Sequence, residues 1–167
     1  DHYVITRALG VYQRTLVSNQ SKFDQYLKGK SDLTKQEKRG MNLFFGKANC
    51  SNCHNGFNFT NYNLSNNGLY KKYKDIGRMK VSNDSNDLAQ FKTPSLRNVE
   101  VTAPYMHDGS LSTLMEVVRH YNSGGEKHRS KDILIEPLNL NEKEMESLVS
   151  FLGTLTDCVF KQNPEHR

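Results

Sequence analysis

The sequence predicts an all-α fold with long loops. Apolar residues recur at spacings of three and four in several segments, which is the pattern of helices that bury one face. Three of these segments begin with a small polar residue followed three positions later by Glu, the pattern of a capping box. The long segment between them shows no strand periodicity. With 167 residues, the chain is long enough for one domain with its own core.

The first predicted helices lie before residue 46. Residues 3–18 carry a helical stripe, and residues 23–27 continue it after a short break. A capping box at residues 34–37 then predicts a helix that ends near Gly46. The stripe in the first segment consists of Ile5, Ala8, Leu9, Tyr12 and Leu16.

After residue 54, the sequence predicts a long loop followed by two helices. Residues 55–92 are rich in Asn, Ser, Lys and Gly and show neither helical nor strand periodicity. An irregular connection of this length is expected to wrap around a bound group or another part of the domain. A capping box at residues 113–116 opens a helix that stops at Gly124, and the last helix starts at Asn141.

One short motif carries the chemistry. Cys50-Ser51-Asn52-Cys53-His54 matches Cys-x-x-Cys-His, the attachment signature of a c-type haem. Both thiols can add to the haem vinyl groups, and His54 is then the proximal iron ligand. The predicted helix followed directly by this motif is the order of a cytochrome c domain. We therefore expect a cytochrome c-like all-α domain with haem-wrapping loops.

Other uses of the two cysteines fit less well. A zinc site needs four ligands, and only Cys158 remains besides this motif. A thioredoxin-like pair would follow a strand, whereas here the motif follows a helical pattern. A disulfide between Cys50 and Cys53, in a binding domain without haem, stays open. Haem attachment takes place outside the reducing cytosol, so we expect a periplasmic protein.

Composition narrows the possible partners. The chain has 23 basic and 18 acidic residues and a net charge of +5. The basic residues are spread along the chain, and no nucleic-acid motif accompanies them, so we expect no nucleic-acid partner. No stretch of about 18 apolar residues occurs, so we expect no membrane span. Apolar residues make up only 35% of the chain, and a haem would add apolar surface to the interior.

The residues leave two candidates for the distal iron ligand. Met106 follows His54 by 52 positions, in a Pro-then-Met context compatible with a small cytochrome c. Tyr121 lies on the inward stripe of the helix after residue 113 and competes with it. A thioether raises the haem potential, whereas a phenolate lowers it. Arg97 and Arg78, together with Lys92, are candidates to pair with the haem propionates.

Nearly the whole chain resembles the C-terminal half of the bacterial di-haem cytochrome c peroxidase family, which includes the di-haem enzyme that matures methylamine dehydrogenase. The most specific part is the run from residue 92 to residue 109 and the helix after it. The matching stretches are residues 14–16, 23–27, 37–40, 43–47, 50–54, 92–99 and 102–109.

The resemblance implies a domain organisation and a set of ligands. Residues 1–30 would link to a first haem domain that this chain lacks, residues 31–160 would form the haem domain, and residues 161–167 would be a tail. At the position of Tyr121 the family has Met in typical peroxidases and Tyr in the maturation enzyme. Tyr121 is therefore the first choice and Met106 the second. The backbone carbonyls of Thr102 and Pro104 would contribute to a calcium site between the two domains.

The function expected from this resemblance is electron transfer within a peroxidase-like oxidoreductase. The domain would receive electrons from a small cytochrome or cupredoxin and pass them to a haem in the N-terminal domain, where hydrogen peroxide reacts. The fragment alone is not expected to be active. The alternative is a free-standing mono-haem electron carrier in which His54 and Met106 hold the iron.

Overall fold

The computed structural model describes residues 1–166, and its secondary structure is mostly helical. The all-α prediction is confirmed, apart from one small antiparallel sheet of two strands in the long loop. Within the described residues, none of the helices combines the length and the apolar character that a bilayer span requires. The helices are α1 (His2–Thr15), α2 (Lys22–Leu27), α3 (Lys35–Phe45), α4 (Met79–Ser82), α5 (Leu114–Ser123), α6 (Glu142–Gly153) and α7 (Cys158–Gln162), and the strands are β1 (Leu64–Ser65) and β2 (Phe91–Lys92).

The predicted helix starts at capping boxes are confirmed. Thr34, Thr113 and Asn141 are the N-caps of α3, α5 and α6, and each accepts a hydrogen bond from the backbone N–H of the Glu three positions on. Each Glu returns a bond to the N-cap backbone. Because these reciprocal bonds satisfy the free N–H groups at a helix start, they fix where each helix begins.

Four elements escaped prediction: the strands β1 and β2, and the short helices α4 and α7. β1 pairs with β2 in antiparallel register, with Leu64 opposite Lys92. Each strand has only two residues, too few to show a period of two. The short helix α7 begins after Asp157, whose side chain accepts a bond from the Phe160 N–H. Cys158, the first residue of this helix, is exposed.

The core forms where α3 crosses α6. Phe44 and Phe151 are 1% and 0% exposed, and their ring centroids lie 5.2 Å apart. Phe23 from α2 and Phe59 from the long loop pack on the same cluster, with ring centroids 5.7 Å apart. Each fully buried aromatic side chain contributes about 1.5–3 kcal/mol. These four rings therefore join both helices to the segment that follows the Cys-x-x-Cys-His motif.

α1 does not contribute to this core. The helix predicted for residues 3–18 is present, but it has no buried residue. Leu9 and Tyr12, on its apolar stripe, are 55% and 43% exposed. α2, by contrast, packs into the core through Phe23, and the Phe23 N–H donates to the Thr154 carbonyl at 3.0 Å. The segment 1–30 thus contains one exposed helix and one core helix.

A buried ion pair fixes α2 to the rest of the domain. Nη1 and Nη2 of Arg97 donate to the two carboxylate oxygens of Asp24 at 2.9 and 3.0 Å. The side chains are only 7% and 9% exposed. Nε of Arg97 donates to the Phe57 carbonyl at 2.8 Å. Since all three guanidinium nitrogens have protein partners, Arg97 stabilises the fold, and its pairing with a haem propionate stays a prediction.

Gly40 allows the close crossing of α3 and α6. A Cβ atom at this position would lie 1.9 Å from the Ser147 carbonyl oxygen and 2.8 Å from Phe151 Cβ. We expect Gly40→Ala to lower the free energy of unfolding by about 3 kcal/mol, because the helices must move apart. Urea unfolding followed by circular dichroism measures this change.

The matched control is Gly10→Ala in α1, where the added Cβ has no neighbour within 4 Å. Because alanine is the better helix former, this variant should gain roughly 0.5–1 kcal/mol. Equal effects of the two substitutions would show that the helix crossing does not depend on Gly40.

The ion pair predicts a pH dependence of stability. Burial opposes ionisation of Asp24, but hydrogen bonds from Arg97 and Ser21 and the Arg97 charge outweigh it, so the pKa of Asp24 is lowered. Its contribution is therefore present above the unfolded pKa of about 3.9 and is lost as the pH falls through the folded pKa. We expect Asp24→Asn to cost about 3 kcal/mol at pH 7 and to flatten the loss of stability below about pH 5.

Thermal unfolding between pH 2.5 and 7 measures this effect. Glu146→Gln, at an exposed position on α6, is the matched loss of one carboxylate. A variant Asp24→Asn that keeps both the wild-type stability at pH 7 and the wild-type acid dependence would contradict the structural role of the pair.

Candidate haem site

The Cys-x-x-Cys-His motif forms one tight turn directly after α3. Residues Cys50–Asn52 are a 3-10 turn, and the backbone N–H groups of Cys53 and His54 both donate to the Cys50 carbonyl, at 3.3 and 2.9 Å. α3 ends at Phe45, so the core helix delivers this turn. The thiols of Cys50 and Cys53 are free rather than joined in a disulfide. The turn therefore presents two thiols and an imidazole together.

The two thiols are protonated at neutral pH. Burial raises the pKa of Cys50 to about 12. Burial also raises the pKa of Cys53, and the charge of Asp132 acts in the same direction. A thiol becomes a strong nucleophile or a redox-active group through a lowered pKa. The structure therefore argues against a thioredoxin-like role for this pair.

His54 is oriented by a backbone carbonyl. Its Nδ1 lies 3.0 Å from the Phe59 carbonyl oxygen. Burial lowers the pKa of His54, against the effect of the Phe59 and Pro94 carbonyls, so the ring is neutral at pH 7. With its proton on Nδ1 and directed at Phe59, the ring keeps a lone pair on Nε2, which is the arrangement of a metal-ligating histidine.

The two candidate distal ligands meet at one amide group. Nδ2 of Asn67 lies 3.3 Å from Met106 Sδ and 3.3 Å from Tyr121 Oη. Burial raises the pKa of Tyr121, and negative charge on Cys50 and Cys53 would raise it further. The buried phenol therefore lies within electrostatic range of the cysteines of the attachment turn. Met106 and Tyr121, which the sequence left as competing candidates, therefore both contact the Asn67 amide in the structure.

Asn67 is held in turn by a histidine of α5. Nε2 of His120 lies 3.0 Å from the Asn67 carbonyl oxygen, and burial lowers the pKa of His120. The sequence analysis identified neither Asn67 nor His120, which is half-buried on α5. The only indication in the sequence that His120 lies near the site was its position directly before Tyr121. Asn67 lies in the loop, where no periodicity marks an inward residue.

The remaining predicted residues lie apart from this centre or on the surface. Nε of Arg78 donates to Asp87 at 3.0 Å, and the Arg78 side chain is 51% exposed. Nζ of Lys92 lies 5.3 Å from the centre of the Tyr62 ring. Thr102 and Pro104 are on an exposed loop. No group of three or more His, Cys, Asp or Glu side chains among residues 1–166 could hold a metal ion.

The residues present fit a haem. The donor set contains two free thiols on one turn and a neutral imidazole beside them. It also contains a thioether and a phenol that both contact the Asn67 amide. Cys50 packs against the hydrophobic core, as do Leu96, Tyr105 and Met115. The surroundings of the turn are thus apolar, as the haem ring requires.

Comparisons with known proteins agree with this site. No family model matches the chain. The chain is 43% identical over 154 residues to the methylamine utilization protein MauG of Methylorubrum extorquens, covering 90% of this chain and 43% of that protein. It is 37% identical over 157 residues to the cytochrome c551 peroxidase of Nitrosomonas europaea, covering 91% of this chain and 44% of that protein.

A solved structure shows the same fold. The crystal structure of a MauG-like protein associated with microbial copper homeostasis matches with a TM-score of 0.85 and 34% identity. The match covers 90% of this chain and 52% of that one. This chain spans about half the length of the relatives it matches.

These relatives are named as MauG and cytochrome c peroxidase proteins, which is the family that the sequence resembles. The chain belongs to the family of bacterial di-haem cytochrome c peroxidases and MauG proteins, in which it corresponds to the C-terminal haem domain.

Proposed function

We propose that this chain is the electron-transferring haem domain of a two-haem peroxidase-like enzyme. Cys50 and Cys53 would hold a haem covalently, and His54 and Tyr121 would be the ligands of its iron. The observation that carries this proposal is the contact of the Asn67 amide with both Met106 and Tyr121. The haem supplies the one-electron redox centre.

The protein groups hold both sides of this centre. On the proximal side, the Phe59 carbonyl fixes the tautomer and the orientation of His54. A hydrogen bond of this kind also makes the imidazole a stronger ligand. On the distal side, the Asn67 amide can donate a hydrogen bond to the Tyr121 oxygen or to the Met106 sulfur. Tyr121 is the first choice because the resemblance places the distal ligand at its position.

The rest of the enzyme is proposed from the family. An N-terminal haem domain of the same protein reacts with hydrogen peroxide, and a small cytochrome or cupredoxin supplies electrons in the periplasm. α1 is the segment that contacts the other domain, because its apolar stripe has no partner among the described residues. The haem domain then begins with α2, whose Phe23 lies in the core. A calcium ion at the carbonyls of Thr102 and Pro104 would join the two domains, and both residues lie on an exposed loop that leaves them accessible.

Covalent attachment is tested by replacing the thiols. We expect a periplasmic preparation, made with the haem-attachment machinery, to keep its haem on a denaturing gel. Cys50→Ala combined with Cys53→Ala should lose this covalent haem, because no thioether bond can form. The pyridine haemochrome spectrum measures the change. The control is Cys158→Ala, which removes an exposed thiol outside the motif; equal haem content in all three proteins would refute attachment at this site.

The distal ligand is tested by spectroscopy of the ferric protein. Tyr121→Phe removes the phenol oxygen and should abolish a tyrosinate-type absorption and EPR signal. Met106→Leu preserves side-chain volume and should leave that signal in place. The opposite result, a low-spin signature lost only in Met106→Leu, would make Met106 the ligand and raise the expected potential.

A further inference from the structure

An apolar groove opens on the proximal side of the candidate haem site. Its volume is about 500 Å³, and its walls come from α2, α3 and the loop that follows His54. Tyr26 and Leu27 contribute from α2, Met41 and Phe45 from α3, and Phe57 from the loop. The groove therefore adjoins the segment that attaches and ligates the haem.

The groove displays large apolar side chains to solvent. Leu27, Phe45 and Phe57 are 67%, 51% and 55% exposed. The chain as a whole is polar, with a mean hydropathy of −0.75. Several exposed apolar side chains around one groove are typical of a surface that binds another protein. Because these side chains border a cavity rather than lie scattered, the groove has the shape of a docking site.

The segment that supplies α2 and α3 to the groove carries most of the net positive charge of the chain. The charged side chains that line the groove itself, Asp24 and Arg97, pair with each other, and Lys28 and Lys30 follow the lining residue Leu27 in the chain. Residues 22–47, which contain α2 and α3, have seven basic and three acidic residues, a net charge of +4 out of +5 for the whole sequence. Lys28, Lys30 and Lys35 are exposed and form no ion pair among residues 1–166. One of the three acidic residues, Asp24, is buried against Arg97. The rim of the groove therefore favours a partner with negative charge.

A short route leads from the groove to the iron ligand. Phe59 lines the groove, and its carbonyl oxygen lies 3.0 Å from His54 Nδ1. A protein bound in the groove would thus be separated from the proximal ligand by one residue and one hydrogen bond. An electron entering from this side has a direct path to the haem site.

We propose that this groove docks a small redox protein whose acidic residues surround an apolar centre. The inference rests on the proposed electron-transfer function and adds the surface and the charge of the partner. The apolar centre of the partner contacts Leu27, Phe45 and Phe57, and its acidic rim faces Lys28 and Lys30, which follow Leu27 at the end of α2. A second copy of this chain, which is itself basic, lacks the complementary charge.

The test uses the haem-loaded protein and two probes of opposite charge. Plastocyanin, an acidic cupredoxin, and mitochondrial cytochrome c, a basic cytochrome, are supplied in their oxidised forms. The dithionite-reduced protein gives one electron to either probe, and stopped-flow absorbance measures the second-order rate constant. We expect plastocyanin to react faster at low ionic strength and its rate to fall as salt is added.

Charge-reversal variants distinguish the effect of the lysines beside the groove from the effect of the net charge of the protein. Lys28→Glu combined with Lys30→Glu should slow the reaction with plastocyanin about tenfold at low salt. The matched control combines Lys72→Glu with Lys74→Glu, two exposed lysines that do not line the groove, and should change the rate less than twofold. Leu27→Ala should slow the reaction at all salt concentrations. Equal losses in the two double variants, or a faster reaction with cytochrome c, would overturn the proposal.

A binding measurement distinguishes failure of this inference from failure of the proposed function. Line broadening of redox-inert cadmium plastocyanin by the protein reports docking without electron transfer. Broadening that is lost in the Lys28→Glu, Lys30→Glu variant supports the groove even if the proposed electron-transfer function fails. Unchanged broadening in that variant, or a dimer in sedimentation equilibrium that Leu27→Ala dissociates, would refute an acidic partner in the groove.

Discussion

The close crossing of α3 and α6 at Gly40 is the constraint on which the haem site depends. The absence of a side chain at Gly40 lets the backbone of α3 approach the Ser147 carbonyl of α6. That approach packs Phe44 of α3 against Phe151 of α6. Phe59 then packs on Phe44, with ring centroids 6.0 Å apart, and its carbonyl accepts the hydrogen bond of His54. The helix crossing therefore fixes the orientation of the proximal ligand through only two aromatic contacts. The same helix, α3, delivers the cysteine turn, so thiols and imidazole share one support.

The sequence predicted the elements that have a local cause. Capping boxes place the starts of α3, α5 and α6 because both partners lie within four residues, and the attachment motif is equally local. The sequence failed where the cause is distant. Asp24 and Arg97 are 73 positions apart, so no local pattern indicated their ion pair. The stripe on α1 correctly predicted a helix but not that its apolar face lies outside this core, since periodicity does not identify the partner. Asn67 gave no signal at all.

The long loop obtains its order from side-chain bonds rather than from regular structure. Thr60 Oγ1 donates to the Thr93 carbonyl at 2.7 Å, and the short pairing of β1 with β2 lies directly after it. The Tyr73 hydroxyl donates to Asn66 Oδ1 at 2.7 Å, and Ser65 bonds to Asp132. Such a set of bonds satisfies the polar groups of a loop rich in Asn and Ser. It also explains how Asn67, between Asn66 and the buried Gly68, is held firmly enough to position two candidate ligands.

The two sides of the haem site are built from separate parts of the chain. The proximal side consists of the cysteine turn, the Phe59 carbonyl and the groove between α2 and α3. The distal side consists of Asn67, Met106 and α5, where His120 holds Asn67 and the next residue is Tyr121. Because axial ligand identity sets the haem potential, the distal side can change that potential without altering the docking groove. In the same way, the lysines beside the groove, Lys28 and Lys30, can change with the partner while the candidate iron ligands stay the same. An exchange of Met for Tyr at the position of Tyr121, which the resemblance implies for the family, would therefore leave unchanged the proposed docking groove and its connection to His54 through Phe59.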